Sequence, residues 1–262
     1  MAMKLSDKIR KVIHLGYYLF LKDFRYRYRQ TFFGYFWAVL KPLLIGVPLI
    51  LIGRQFDLGS DSKDVPYEIY SFAGIILFQI FWEIVMFPQW IMRRSRQFFK
   101  NVRVPYESVI VAGLCYSIFN TLIYIAVLAV IFLVCSVHIP ISAAVAVLLI
   151  PVILLCGLSI GIFFAPVTLI YLDIRYALPL ISTLMLWSVP LVYKSPASGI
   201  LYHINRFNPL TYLLTVPREL IFGHTDTSLL FFAGSICFFL AFLYIGLKFY
   251  FRAMPFAVDQ IL

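Results

Sequence analysis

Of 262 residues, 62% are hydrophobic and 13% charged, and the mean hydropathy is +0.92. Soluble domains carry roughly 25% charged residues, so the composition excludes an ordinary soluble domain and turns the apolar excess toward lipid. A net charge of +10 admits two partners, nucleic acid or an anionic membrane surface, and the positions of the basic residues decide between them.

The first 31 residues form a cytoplasmic interface segment. Over 7–24, Ile9, Val12, Ile13, Tyr17, Phe20 and Phe24 recur at helical spacing, while Lys8, Arg10, Lys11 and Lys22 lie largely off that stripe. Ser6 is placed to cap this helix, and Asp7 suits its positive end. Such a helix lies in the membrane interface with its basic side toward headgroups, and it is too charged to span. The following Arg25, Arg27 and Arg29 alternate with Tyr26 and Tyr28. Single-strand nucleic-acid binders use the same mixture, but here it directly precedes an apolar run, where basic and tyrosyl anchors belong. No nucleic-acid partner is expected. Nor is a removable signal peptide expected, because the N-terminal stretch lacks a short apolar core and cleavage site.

Six apolar runs follow, at 32–53, 67–91, 108–137, 141–172, 177–193 and 228–251. A spanning helix takes about 20 residues, so the expectation is an all-α integral membrane protein whose six-span domain occupies 32–262. Prolines at 42, 48, 151, 166, 179 and 190 interrupt the runs, which a helix bundle tolerates by satisfying the freed backbone groups. With the N-terminus inside, the cytoplasmic segments hold 16 of the 22 Lys and Arg and the outer segments 5, leaving Lys41 within the first run. That bias puts both termini in the cytoplasm. Residues 194–227 are too apolar for a simple loop and too broken by Pro196, Pro209 and Pro217 for a span. Two re-entrant helices on the outer side fit the pattern, with a surface-lying amphipathic loop as the alternative. No internal repeat is evident.

Motifs for chemistry are missing from the sequence. It contains no G-x-x-x-x-G-K-[ST], no H-E-x-x-H and no G-x-S-x-G, so neither catalytic residues, a bound cofactor nor a metal is expected. Cys115, Cys135, Cys156 and Cys237 all sit in apolar runs without a C-x-x-C pair and read as small apolar residues. Asp57, Asp61 and Asp64 share the first outer loop with Arg54 and Lys63 and match no calcium loop. Two charges inside apolar runs, Lys41 and Glu83, are functional candidates by location, either pore-facing or paired and buried. With 26 Phe, 17 Tyr and 4 Trp, some aromatics beyond the interface belts can face a pore, where amphipathic rings suit carbohydrate.

The run Tyr28-Arg29-Gln30-Thr31-Phe32-Phe33-Gly34-Tyr35-Phe36-Trp37-Ala38-Val39-Leu40-Lys41-Pro42 resembles the start of the first span in ABC-2 permeases. Within that family it is similar to the exporters of O-antigen, capsule and teichoic acid. The likeness extends to Asn101-Val102-Arg103-Val104-Pro105, Tyr171-Leu172-Asp173-Ile174-Arg175 and Asn208-Pro209-Leu210-Thr211. Leu172 stands where the family often has an arginine. The resemblance implies a bacterial inner-membrane protein that moves lipid-linked polysaccharide, O-antigen first among the candidates. Two copies of the chain would line the pore, and two copies of a separate ATPase subunit would hold the ATP and Mg. It further implies a coupling and gating loop at 92–107 and an outer gate at 194–227 that includes Asn208, Pro209 and Arg218. Coupling contacts then fall on Arg93, Arg94, Arg96, Lys100, Arg103, Asp173 and Arg175, with ordinary positive-inside charge as the alternative for the basic cluster at 93–103. The pore candidates are Tyr35, Trp37, Lys41, Phe78, Phe81, Trp82, Glu83 and Trp187. ATP binding in the partner would pull on the loop and the N-terminal helix and alternate the gates. An ABC-2 permease for a drug or simple lipid is the nearer alternative. A polyprenyl-phosphate sugar transferase is the more distant one, since the inside segments hold no closely spaced acidic pair.

Overall fold

The computed structural model describes residues 5–29, 36–55, 65–94, 105–195, 198–224 and 226–260. Among them the chain is all-helical: α1 (Leu5–Arg29), α2 (Phe36–Gln55), α3 (Tyr67–Arg94), α4 (Glu107–Val134), α5 (Ser142–Ile170), α6 (Leu172–Ser188), α7 (Ile200–Phe207), α8 (Pro209–Ile221) and α9 (Leu229–Asp259). Five of these, α2, α3, α4, α5 and α9, are long and apolar enough to cross a membrane. The protein is therefore a multi-pass helical membrane protein. The fifth apolar run becomes α6, only 17 residues long. At 1.5 Å per residue that is about 26 Å, less than the roughly 30 Å hydrocarbon core. Pro190 explains the early stop. A residue before proline is pushed out of the helical region, and Val189 is extended at φ −109°, ψ 132°.

α3 is the hub. In its apolar window 89% of the residues are buried, against 28% for α2, so α3 is enclosed by its own chain while α2 leaves most of its surface for lipid or another partner. α5 approaches α3 closely because Gly157 and Gly161 lie one turn apart on it. A Cβ on Gly161 would meet the carbonyl oxygen of Ile84 at 2.9 Å, and one on Gly157 would meet that of Phe81 at 2.6 Å. Small residues that let backbones touch are the usual route to tight helix contact in lipid, where no hydrophobic gain separates helix from acyl chain. This pair was not singled out in the sequence. On the opposite side of α5, Gly246 of α9 sits 3.1 Å, measured from an added Cβ, from the Ser159 carbonyl.

α1 extends further than its apolar stripe suggests, with Leu5 and Ser6 already within the helix. Leu19 is buried, whereas Ile9, Ile13 and Tyr17 are exposed. α1 packs beside α4, where Lys8 Nζ lies 3.5 Å from Glu107 Oε1.

The stretch expected to hold two short helices does so. Gly199 at the start of α7 has φ 94°, a left-handed conformation that favours glycine. Asn208 then opens α8, its side chain accepting from the Leu210 amide at 3.0 Å with Pro209 in the first helical position, the arrangement that best satisfies a helix start.

Candidate functional site

Lys41 and Glu83 come together although 42 residues separate them. Lys41 Nζ donates to Glu83 Oε2 at 2.5 Å. Glu83 projects from α3 with its side chain 4% exposed. It also accepts from Tyr116 Oη, Asn120 Nδ2 and Tyr124 Oη of α4, each at 3.2 Å. A carboxylate out of water costs several kcal/mol unless a countercharge and hydrogen bonds replace its hydration, and this one has both. The spacing of its donors is itself helical: residues 116, 120 and 124 recur every four positions, so one face of α4 carries three polar groups in line. Counting residues along α3, Glu83 lies about 16 Å from the Arg94 end, well within the apolar stretch.

Lys41 is less enclosed, with a side chain 42% exposed. Its surroundings are a cavity of about 430 Å³ between α2, α3 and α6, walled by Phe78, Trp82, Trp90 and Trp187 together with Ile45, Leu49, Met86 and Leu186. Polar groups face the same space: Gln79, Ser182 and Thr183. Gln79 is buried, and neither its side-chain oxygen nor its nitrogen has a protein partner. An orphaned amide in an apolar interior costs on the order of 1–3 kcal/mol per group, so this wall favours water or a hydroxylated guest.

Five of the eight pore candidates, Lys41, Phe78, Trp82, Glu83 and Trp187, therefore share one cavity. Phe81 does not join them. It points the other way on α3, 1% exposed, with its ring edge-on to Phe239 at 5.8 Å. Trp37 is 43% exposed on α2, away from the cavity wall. Tyr35 lies outside the described residues, as do Arg96, Lys100 and Arg103. Arg93 and Arg94 end α3, Arg27 and Arg29 end α1, and Arg175 lies in α6, the side chains of all five being outside the description. Arg25 is exposed on α1, and Asp173 is exposed in the first turn of α6. The sequence reading missed Trp90, Gln79 and the Tyr116–Asn120–Tyr124 ladder. The ladder was detectable as three hydrogen-bonding side chains at four-residue spacing inside an otherwise apolar span.

The residues expected at an outer gate surround the opposite end of α3, near Tyr70. Along the helix this is about 20 Å from Glu83. Asn208 Nδ2 donates to Ser188 Oγ at 3.0 Å, tying the start of α8 to the end of α6. Arg218 is buried and donates from Nη1 to the carbonyl oxygens of Pro190 and Leu191, each at 3.1 Å. The hydroxyl of Tyr67 donates to the Val192 carbonyl. Side chains from α3 and α8 thus pin the extended stretch that Pro190 forces. The Tyr193 hydroxyl lies 3.0 Å from both the Trp187 carbonyl and the Asn205 side-chain oxygen, and its single proton serves one at a time. No protein-family model matches the chain, and no curated protein does either.

Proposed function

We propose that the chain is the membrane-spanning, pore-forming subunit of an exporter for lipid-linked polysaccharide, driven by a separate ATPase. The observation that carries this reading is the α2–α3–α6 cavity. A half-exposed lysine facing hydrocarbon is costly, and α2 leaves most of its surface uncovered by its own chain. A second copy across this face would enclose Lys41 in a shared, hydrated lumen. Phe78, Trp82, Trp90 and Trp187 would offer ring faces to sugars, while Lys41, Gln79, Ser182 and Thr183 would meet hydroxyls. Aromatic stacking tolerates varied hydroxyl patterns, as a long polymer in transit requires.

In this reading both termini are cytoplasmic in a bacterial inner membrane. α6 with its extended continuation makes the fifth of six crossings, α7 and α8 re-enter from the outer side, and 92–107 couples to the ATPase. Asn208 and Pro209 start a gate helix, and Arg218 locks it onto the α6 terminus. Nucleotide-driven movement at the Arg94 end of α3 would then reach the outer side through one rigid helix.

Deleting the gene should trap lipid-linked glycan on the cytosolic leaflet, and Trp82→Ala with Trp187→Ala should restore export poorly in complementation. Normal surface glycan in the deletion strain would end the proposal. The aliphatic part of the wall, Ile45, Leu49, Met86 and Leu186, favours a drug or simple lipid as the second reading. Loss of drug resistance with unchanged glycan would select it.

A further inference from the structure

A second cavity, of about 510 Å³, lies at the Tyr70 end of α3 beneath α7 and α8. It falls in the usual range for small-molecule sites, roughly 300–1,000 Å³. Its wall is unlike that of the first. Five rings face it, Tyr70, Tyr193, Tyr202, Tyr212 and Phe231, interleaved with Asn205, Thr211 and Thr215. Tyr212 and Phe231 are stacked, with centroids 5.0 Å apart at 18°, making one flat surface from two helices.

Charge distinguishes it further. Lys194, Arg206 and Arg218 line the cavity against a single acid, Glu219. Glu219 is held by Thr227, one oxygen accepting from its amide at 2.9 Å and the other from its hydroxyl. It keeps its charge and acts on Arg218 through space without a direct hydrogen bond, so it offsets only part of the positive charge on the wall. Arg218 is 5% exposed. Its guanidinium lies 4.2 Å over the Tyr70 ring and donates only to neutral carbonyls, while Nε has no acceptor. Among the described residues no carboxylate stands within 4 Å of it. A buried cation with no directly hydrogen-bonded anion is poorly compensated: the neutral partners here replace its hydration only in part, and Glu219 offsets its charge only at a distance. Arg206, by contrast, is exposed at the rim, its Nη1 2.8 Å from Tyr202 Oη.

We propose that this cavity binds a sugar unit bearing an oxyanion, a carboxylate or a phosphate ester. The tyrosine rings take the sugar face, Asn205 and the threonines its hydroxyls, and Arg206 with the charge of Arg218 the anionic substituent. Charge-assisted hydrogen bonds to guanidinium are the strong ones, so the anion sets the affinity and the rings set the class. The site needs no transport step, and its occupancy is separable from export.

The test uses the full chain in phosphatidylcholine nanodiscs and saturation-transfer NMR, with glucuronate, glucose 1-phosphate, glucose and inorganic phosphate as probes. Glucuronate and glucose 1-phosphate should bind saturably, with glucose about tenfold weaker. Arg218→Gln should abolish that preference. Should it fail to fold, Arg206→Gln and Tyr202→Ala, both nearer the surface, should each weaken glucuronate several-fold. Equal binding of glucose and glucuronate overturns the anion requirement. Inorganic phosphate as tight as the sugar phosphate leaves a bare anion site. Loss of the glucuronate signal on adding phosphatidylglycerol to the discs assigns the cavity to a lipid headgroup, and no saturable signal removes the site.

Discussion

Glu83 and Arg218 are both buried charges attached to α3 or packed against it, and they are handled in opposite ways. Glu83 has a cation from α2 and three donors from α4, so its charge is balanced within the chain. Arg218 has two carbonyls and a ring face, with Glu219 acting on it only at a distance, so its hydrogen bonding and its charge are each met only in part. The first arrangement locks three helices together. The second holds a backbone turn in place while leaving an electrostatic demand that something outside the chain can meet. A buried charge is thus informative chiefly through what is missing around it.

That contrast breaks most readily at Glu83. Replacing it by Leu removes the acceptor shared by Tyr116, Asn120 and Tyr124 and the partner of Lys41. Because Lys41 is 42% exposed, the cost should fall somewhat below the roughly 3–5 kcal/mol of a fully buried pair. The Lys41→Met, Glu83→Leu double variant should recover much of that loss, because an apolar pair no longer carries an unbalanced charge. Thermal unfolding of the four forms in detergent gives the coupling directly, and simple additivity would show that the pair is not the source.

Arg218→Leu should cost less, about 1–2 kcal/mol, since two carbonyls lose donors but a poorly compensated buried charge is removed with them. A loss as large as that at Glu83 would mean that Arg218 is fully paired in the working state. The smallest effect is expected at the helix cap, where Asn208→Ala should cost about 1 kcal/mol and loosen the tie to Ser188. Lys8→Ala at the surface pair with Glu107 serves as the control, at roughly 0–1 kcal/mol.

Composition and hydropathy determined the class of this protein, because lipid demands long apolar helices whatever the topology. Pro196, Pro209 and Pro217 announced short helices where a span would otherwise be drawn. Lys41 and Glu83 were legible as exceptional because any charge in an apolar run is. Their pairing was not, since nothing in local pattern reports a contact across 42 residues. The division between Phe78, Trp82 and Trp187 on one wall and Phe81 in the core was equally hidden. In a helix buried on nearly every side, polarity no longer marks a face, and only the packing of α5 and α9 decides where each ring points. The shared stretch of α6 and α8 belongs to tertiary structure for the same reason: Pro190 ends the helix, but Arg218 and Tyr67, distant in sequence, fix where the freed carbonyls go.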